Sequence, residues 1–284
     1  MAQSEYHVLN LGAGVQSTTL YLMFMQGRIP VKLDAAITAD TQEESKLTYA
    51  HLEWLKSLNG PPIIVRTKGK LGDHLVRGCN STGGRFAAIP AFTTDGQRVS
   101  KTKRQCTKEY KLEVIGQALR QEVLGLKPRQ RVRKGVIVHV YIGFSLNESG
   151  RAWRLEHKGK KPPKYIRRHF PLIDLHITRS QCSEFLRRNV PHEVPRSACV
   201  FCPFHDDNEW IEIKKSPGDW ARAVEIDRAL RIPGIVANRK MDETMYLHRS
   251  CQPLESIEFI ASSDPRAAQS DLNFAGECLG MCGY

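Results

Sequence analysis

The sequence predicts an α/β fold: a doubly wound, mostly parallel sheet with a loop-rich, cysteine-containing C-terminal region. Three observations carry this. The apolar run 6–11 reads as a buried strand, Gly12-Ala13-Gly14 as a sharp turn and 15–26 as a helix. A second mostly apolar run, 33–38, ends in Ala39-Asp40-Thr41 and leads into a helix with Thr48, Leu52 and Leu55 on one face. The run 136–144 is apolar at Val136, Val138, Val140 and Ile142 and at most positions between, as in a central parallel strand covered on both faces. Apolar strands alternating with amphipathic helices build a parallel sheet with helices on both sides.

The other elements follow in order. A third strand is expected at 62–66 and a short helix at 71–77. Residues 78–105 are rich in Gly, Ser, Thr, Lys and Arg with little periodicity, which suits a long functional loop or lid better than a linker. Leu112, Ile115, Leu119 and Val123 stand at helical spacing and predict a helix over 110–126, with Cys106 at or just before its N-terminus. Further helices are expected at 178–188, 208–215 and 217–230, then a loop-rich tail. The chain divides into a nucleotide-binding domain, 1–190, and a C-terminal region, 191–284, whose tail 261–284 is expected to be mobile.

At 284 residues, with 41% hydrophobic and 25% charged residues, the composition is that of a globular protein. No stretch approaches about 20 consecutive apolar residues, and the start lacks a basic segment followed by an apolar core. Neither a membrane span nor an export signal is expected, and the expected location is cytoplasmic. The formal net charge of +12 concentrates in segments 98–111, 127–134 and 158–168. Such clusters suit a polyanion, tRNA or DNA, held through phosphates because aromatics are few; a solvated surface or one anionic nucleotide are the alternatives. A reducing compartment argues against a disulfide framework for the eight cysteines.

The strand-turn-helix at 9–20 brings backbone N–H groups, the Ser17 and Thr18 hydroxyls and a helix N-terminus to one point, which suits a phosphate or pyrophosphate. It is neither a Walker loop nor a three-glycine dinucleotide fingerprint, and such turns also serve packing alone. An acidic residue ending the second strand, here Asp40, commonly meets a ribose hydroxyl or the adenine edge. Cys199-Val200-Phe201-Cys202 gives two thiolates the spacing of a shared metal or an internal disulfide, open to iron–sulfur, zinc and redox uses.

Gly12-Ala13-Gly14-Val15-Gln16-Ser17 together with Asp40-Thr41 resembles the modified P-loop (PP-loop) of the adenine nucleotide alpha-hydrolase superfamily, and within it the phosphoadenylyl-sulfate (PAPS) reductase family. The Ser-Gly-Gly-x-Asp-Ser pattern of ATP-using members is matched loosely; the missing Asp leaves the loop closer to that of the reductases. Gly143-Phe144-Ser145-Leu146-Asn147-Glu148-Ser149-Gly150-Arg151 is similar to the family's Gly-(Ile/Leu)-x-x-x-(Glu/Gln)-Ser-x-x-Arg with the Arg one residue closer, although a polar helix cap reads the same way. Phe170-Pro171-Leu172-Ile173-Asp174 resembles a structural family segment, and Cys182 reads as a packed thiol. The resemblance implies that Gly12, Gly14, Gln16, Ser17 and Thr18 hold phosphate, Asp40 the ribose or adenine, Glu148 nucleotide or substrate, and Arg151 a developing negative charge.

Family members with a [4Fe–4S] cluster carry an upstream Cys pair and a downstream Cys-x-x-Cys. Here Cys106, flanked by Gln105 and Thr107, keeps one of the pair. Related tRNA thiolases hold the cluster with three cysteines, which implies Cys106, Cys199 and Cys202, with Cys251 as a fourth ligand; zinc on Cys106, Cys199, Cys202 and His205 is the rival. The tail Glu277-Cys278 and Cys282-Gly283-Tyr284 resembles the Glu-Cys-Gly-(Leu/Ile)-His end of the reductases without its His, implying Cys278 and Cys282 as reactive thiols. The implied activity is ATP-dependent sulfur transfer to a nucleic acid with an iron–sulfur cluster, fed by a sulfur or electron donor. The alternatives are a PAPS or APS reductase releasing sulfite, and a non-enzymatic zinc-containing nucleotide- or nucleic-acid-binding protein.

Overall fold

Strand β1 (Ser4–Asn10) runs into helix α1 (Val15–Met25), and β2 (Ala35–Asp40) into α2 (Lys46–Ser57), so both predicted strand-helix units form. The computed structural model describes residues 4–84, 89–159, 161–232 and 243–261. β3 (Ile63–Thr67) and α3 (Leu71–Val76) follow as expected, but the loop 78–105 contains two short strands, β4 (Phe92–Thr94) and β5 (Val99–Lys101). The expected helix over 110–126 is α4 (Glu113–Ala118) extended by π-helical turns Thr107–Leu112 and Leu119–Val123, with Cys106 at its N-cap. Then come β6 (Val136–Ile142), α5 (Ser149–His157), β7 (Ile166–His169), the single turn α6 (Pro171–Asp174), α7 (Arg179–Asn189), α8 (Asp207–Lys215), α9 (Pro217–Ala229) and β8 (Met245–Tyr246).

Five strands pair in parallel in the order β3-β2-β1-β6-β7. The fold is therefore α/β, with β6 beside β1 as a central strand. The chain reverses its direction of travel across the sheet between β1 and β6, and the carboxyl ends of strands at such a switch point form a crevice. One face packs Leu9, Phe24 and Tyr141 with Leu172 and Leu186; the other packs Val8, Ile37, Val138 and Val140 with Ile115 and Leu119. A third apolar cluster joins Leu71, Leu75 and Tyr110 to Phe201, Trp210, Ile226 and Leu254, so residues on both sides of position 190 share it. β4, β5 and β8 form a small antiparallel sheet.

β7 corrects the reading of the third basic segment. Arg167 and Arg168 belong to an edge strand, and Arg168 is nearly buried, its guanidinium on the Leu155 carbonyl and Glu156. Segment 127–134 leads directly into β6, and residues 161–165 lead into β7. Both therefore lie at the amino end of the sheet, opposite the crevice; of the three segments only 98–111 reaches the crevice end. Among the described residues no helix is long and apolar enough to cross a membrane.

Candidate active site

A cleft opens at the carboxyl ends of β1 and β2, lined by Asn10, Gly12, Ala13, Asp40, Tyr49, Lys111 and Ser197 among others. The β1–α1 turn is tight because Ala13 takes φ +55°, and Ser17 Oγ closes it at 3.3 Å from the Gly14 amide and 3.2 Å from its carbonyl. α1 has no acidic residue in its first turn, so the positive end of its dipole faces the turn without a compensating side chain of its own. Gly143, at the end of β6, packs on this turn: a Cβ there would stand 3.0 Å from the Ser17 nitrogen, so only glycine lets the strand approach.

The predicted loop residues divide into two groups. Gln16 is buried; its amide donates to Glu148 Oε2 at 2.8 Å and accepts from Arg179 at 3.4 Å. Glu148 is also buried and pairs with Arg151, whose guanidinium lies 4.7 Å over the Phe144 ring. Gln16, Glu148, Arg151 and Arg179 thus form one polar set on the β6 side of the loop. Thr18 is a correction. Its hydroxyl is turned into the interior, 2.9 Å from His51 Nε2, so it fastens α1 to α2 and does not face the loop.

Asp40 lines the cleft, and its carboxylate accepts from the Gln42 amide at 2.7 Å and the Tyr49 hydroxyl at 2.9 Å. Burial, and then Asp40 itself, hold the Tyr49 phenol protonated. Asn10 is the residue sequence reasoning missed. It is 2% exposed, and neither its amide nitrogen nor its oxygen has a hydrogen-bond partner. A buried amide left unpaired costs about 1–3 kcal/mol, a cost that a partner in the cleft would relieve. Nothing in the apolar strand pattern distinguishes Asn10 from a strand-end residue. Arg179 could have been found as the basic residue next to the helix-capping Thr178.

The cysteine segment docks beside this cleft. Cys199 bridges to Glu44, the Val200 amide donates to the Glu43 carbonyl at 2.7 Å, and the Thr41 hydroxyl lies 3.1 Å from Cys199 Sγ. Glu43 is buried under Arg222, which donates to both its oxygens at 2.6 and 3.0 Å. Lys111 and Ser197 contact Glu44 at 3.4 and 3.2 Å, while Lys101 lies 4.9 Å over the Phe204 ring, so segment 98–111 packs on the cysteine segment. Burial first, and Glu44 next, push the Cys199 thiol well above its usual range. Cys106 and Cys199 border the same apolar cluster.

The expected zinc set is not assembled. Among the described residues, no group of three ligand atoms within 4.8 Å includes Cys106, Cys199, Cys202, His205 or Cys251. A tetrahedral zinc with bonds of about 2.3 Å needs its sulfurs closer together than that. His205 turns Nε2 to the Cys199 carbonyl at 2.9 Å and Nδ1 to Glu209 at 3.3 Å. Burial raises the Glu209 carboxyl, but His205 and Arg196 outweigh it and hold it down at about 2. Cys251 sits in the turn after β8 at φ +52°. Cys182 is fully buried, as expected of a packed thiol. Cys278 and Cys282 lie outside the described residues. Compared with protein-family models and with curated proteins, the chain matches none of either.

Proposed function

We propose that the protein is an adenine-nucleotide-dependent enzyme of sulfur chemistry, of the PAPS-reductase-like kind within the PP-loop superfamily, transferring sulfur to a nucleic acid at the expense of ATP. The observation that carries this reading is Asn10. Its buried amide offers an unpaired donor and acceptor side by side, the pattern that pairs with the N6/N7 edge of adenine. Asp40 lies across the same cleft for a ribose, and the Gly12–Gly14 turn at the start of α1 suits the phosphates. An oxygen of the nucleic acid attacks the α-phosphorus and pyrophosphate leaves; hydrosulfide from the donor then attacks the carbon bearing that oxygen, and the C–O bond breaks with AMP as the leaving group. Arg151 and Arg179 supply positive charge for the phosphate oxygens.

The donor set of Cys106, Cys199 and Cys202 is soft sulfur, which selects iron–sulfur clusters or zinc. In a cubane each cysteine would bind a separate iron, so Cys106, Cys199 and Cys202 would hold three of its corners. When bound, such a cluster supplies a carrier for sulfide or an electron relay. Nucleic-acid binding draws support from the exposed indole of Trp153, which lies among His157 and Lys158 beside the basic segment 158–168.

A second reading, reduction of a sulfonucleotide with release of sulfite, is favoured by the placement of segments 127–134 and 161–165 away from the crevice. Anaerobic purification with iron, sulfide and zinc analysis, followed by calorimetry with ATP, PAPS and tRNA, separates them. Iron with ATP and tRNA binding supports sulfur transfer. Iron with PAPS but no tRNA binding supports the reductase. Zinc without iron, and no turnover, overturns both.

A further inference from the structure

Midway along β1 and β6, on the sheet face that carries Leu9 and Tyr141, a second set of ligating side chains comes together. His7 stands opposite His139 in the parallel register, and Glu5 lies two residues before His7 on the same face of β1. Ligand atoms of Glu5, His7 and His139 all lie within 4.8 Å of one another, the one such group of three among the described residues. The two imidazoles stack with centroids 4.7 Å apart and planes inclined by 13°.

Each ring is already oriented through its Nδ1. The Tyr141 hydroxyl lies 2.9 Å from His7 Nδ1, and His169 Nε2 lies 2.8 Å from His139 Nδ1. This leaves Nε2 of each ring for a ligand, the division of labour found in metal-binding histidines. His139 Nε2 is buried without a hydrogen-bond partner, 3.6 Å from a Glu5 carboxylate oxygen. Two neutral imidazole nitrogens and a carboxylate are a set for a zinc-class divalent ion. Asp34, whose carboxylate accepts the His7 amide at 2.7 Å, adds negative charge beside it. Arg167, next to His139 in register, turns its guanidinium to the Lys164 and Ile166 carbonyls.

We propose that Glu5, His7 and His139 bind one divalent transition-metal ion, which staples β1 to β6 on one face of the sheet, outside the cleft at its carboxyl end. A metal ion would draw the buried His139 nitrogen and the Glu5 carboxylate, 3.6 Å apart, onto one centre.

The test is calorimetric titration of nickel(II) into the metal-free, untagged full chain, the His7→Gln/His139→Gln double variant, Tyr141→Phe and Glu5→Gln. Wild type should take up one equivalent more than the double variant. Tyr141→Phe keeps every ligand but loses the ring-orienting hydroxyl, and should weaken that equivalent about 10–100-fold. Nickel should raise the melting temperature of wild type further than that of the double variant. Equal stoichiometry in wild type and the double variant overturns the proposal. Should the double variant fail to fold, unchanged affinity in Glu5→Gln overturns it instead. Binding by the cysteines is common to all four proteins and cancels, so the outcome is independent of the sulfur-chemistry reading.

Discussion

The Thr41 hydroxyl lies 3.1 Å from the sulfur of Cys199, and Thr41 follows Asp40 directly in the chain. One strand end thus serves two purposes: its carboxylate lines the cleft, and the next side chain contacts a thiol. Under the proposed function the two chemistries meet at adjacent residues. Serine at Cys106, Cys199 or Cys202 should lower the iron content and bleach visible absorbance after anaerobic purification. Cys182→Ala should retain both, because that thiol is packed between α1 and α7, where burial pushes it up to about 11. Equal iron in all four variants would remove the cluster from the proposal.

Asn10→Ala separates stability from binding. The buried amide has no partner, so removing it relieves a desolvation cost of about 1–3 kcal/mol and leaves the unliganded protein at least as stable. Affinity for adenine nucleotides should fall, whereas a purely structural Asn10 would lose stability and keep affinity. Urea denaturation and calorimetry with ATP measure the two quantities on the same preparations.

Arg151→Ala should weaken ATP or PAPS binding by about 1.5–3 kcal/mol, the range for a hydrogen bond to a charged group. It should also reduce stability, because Glu148 remains buried without its cation. Arg151→Lys keeps the charge but not the fork, and should recover stability more fully than affinity. An arginine that matters only to packing would change the melting temperature without changing nucleotide affinity.

His51 sets a pH window. It is fully buried between Thr18 and His192, each 2.9 Å away, and burial first, then His192, hold its pKa down at about 4 from 6.5. Between those values the unfolded chain binds the proton and the folded one does not. Stability is therefore complete above pH 6.5 and falls as the pH drops through the window, by roughly 3 kcal/mol at its lower end. Denaturant midpoints of wild type and His51→Gln across this range test it; the variant should show the flatter slope.

Arg222 holds the ground beneath the cysteine segment. It pairs with buried Glu43 and with Asp73 at 2.6 Å, and Gly72 leaves room for the pair. Arg222→Met leaves a buried carboxylate unpaired and should cost about 3–5 kcal/mol. Adding Glu43→Gln should restore much of this, a coupling that urea denaturation of the four-protein cycle measures directly.

By itself the sequence determined what is local. Near-continuous apolar runs mark β1, β2 and β6 because a parallel strand is covered on both faces, period-3.6 spacing marks α2 and α4 because one helix face is buried, and Gly12 and Gly14 mark the turn into α1. The same patterns are weak where an element is short or lies at an edge: β4, β5 and the arginine-bearing β7 read as basic loop. Which elements become neighbours is decided by tertiary packing. β6 pairs with β1 across more than a hundred residues, and that pairing alone creates the His7–His139 contact and sends segments 127–134 and 161–165 to the amino end. The partners of Thr18, Gln16 and Cys199, and the unpaired burial of Asn10, are likewise settled by packing, since a side chain's spacing along the chain fixes its face but not what that face meets.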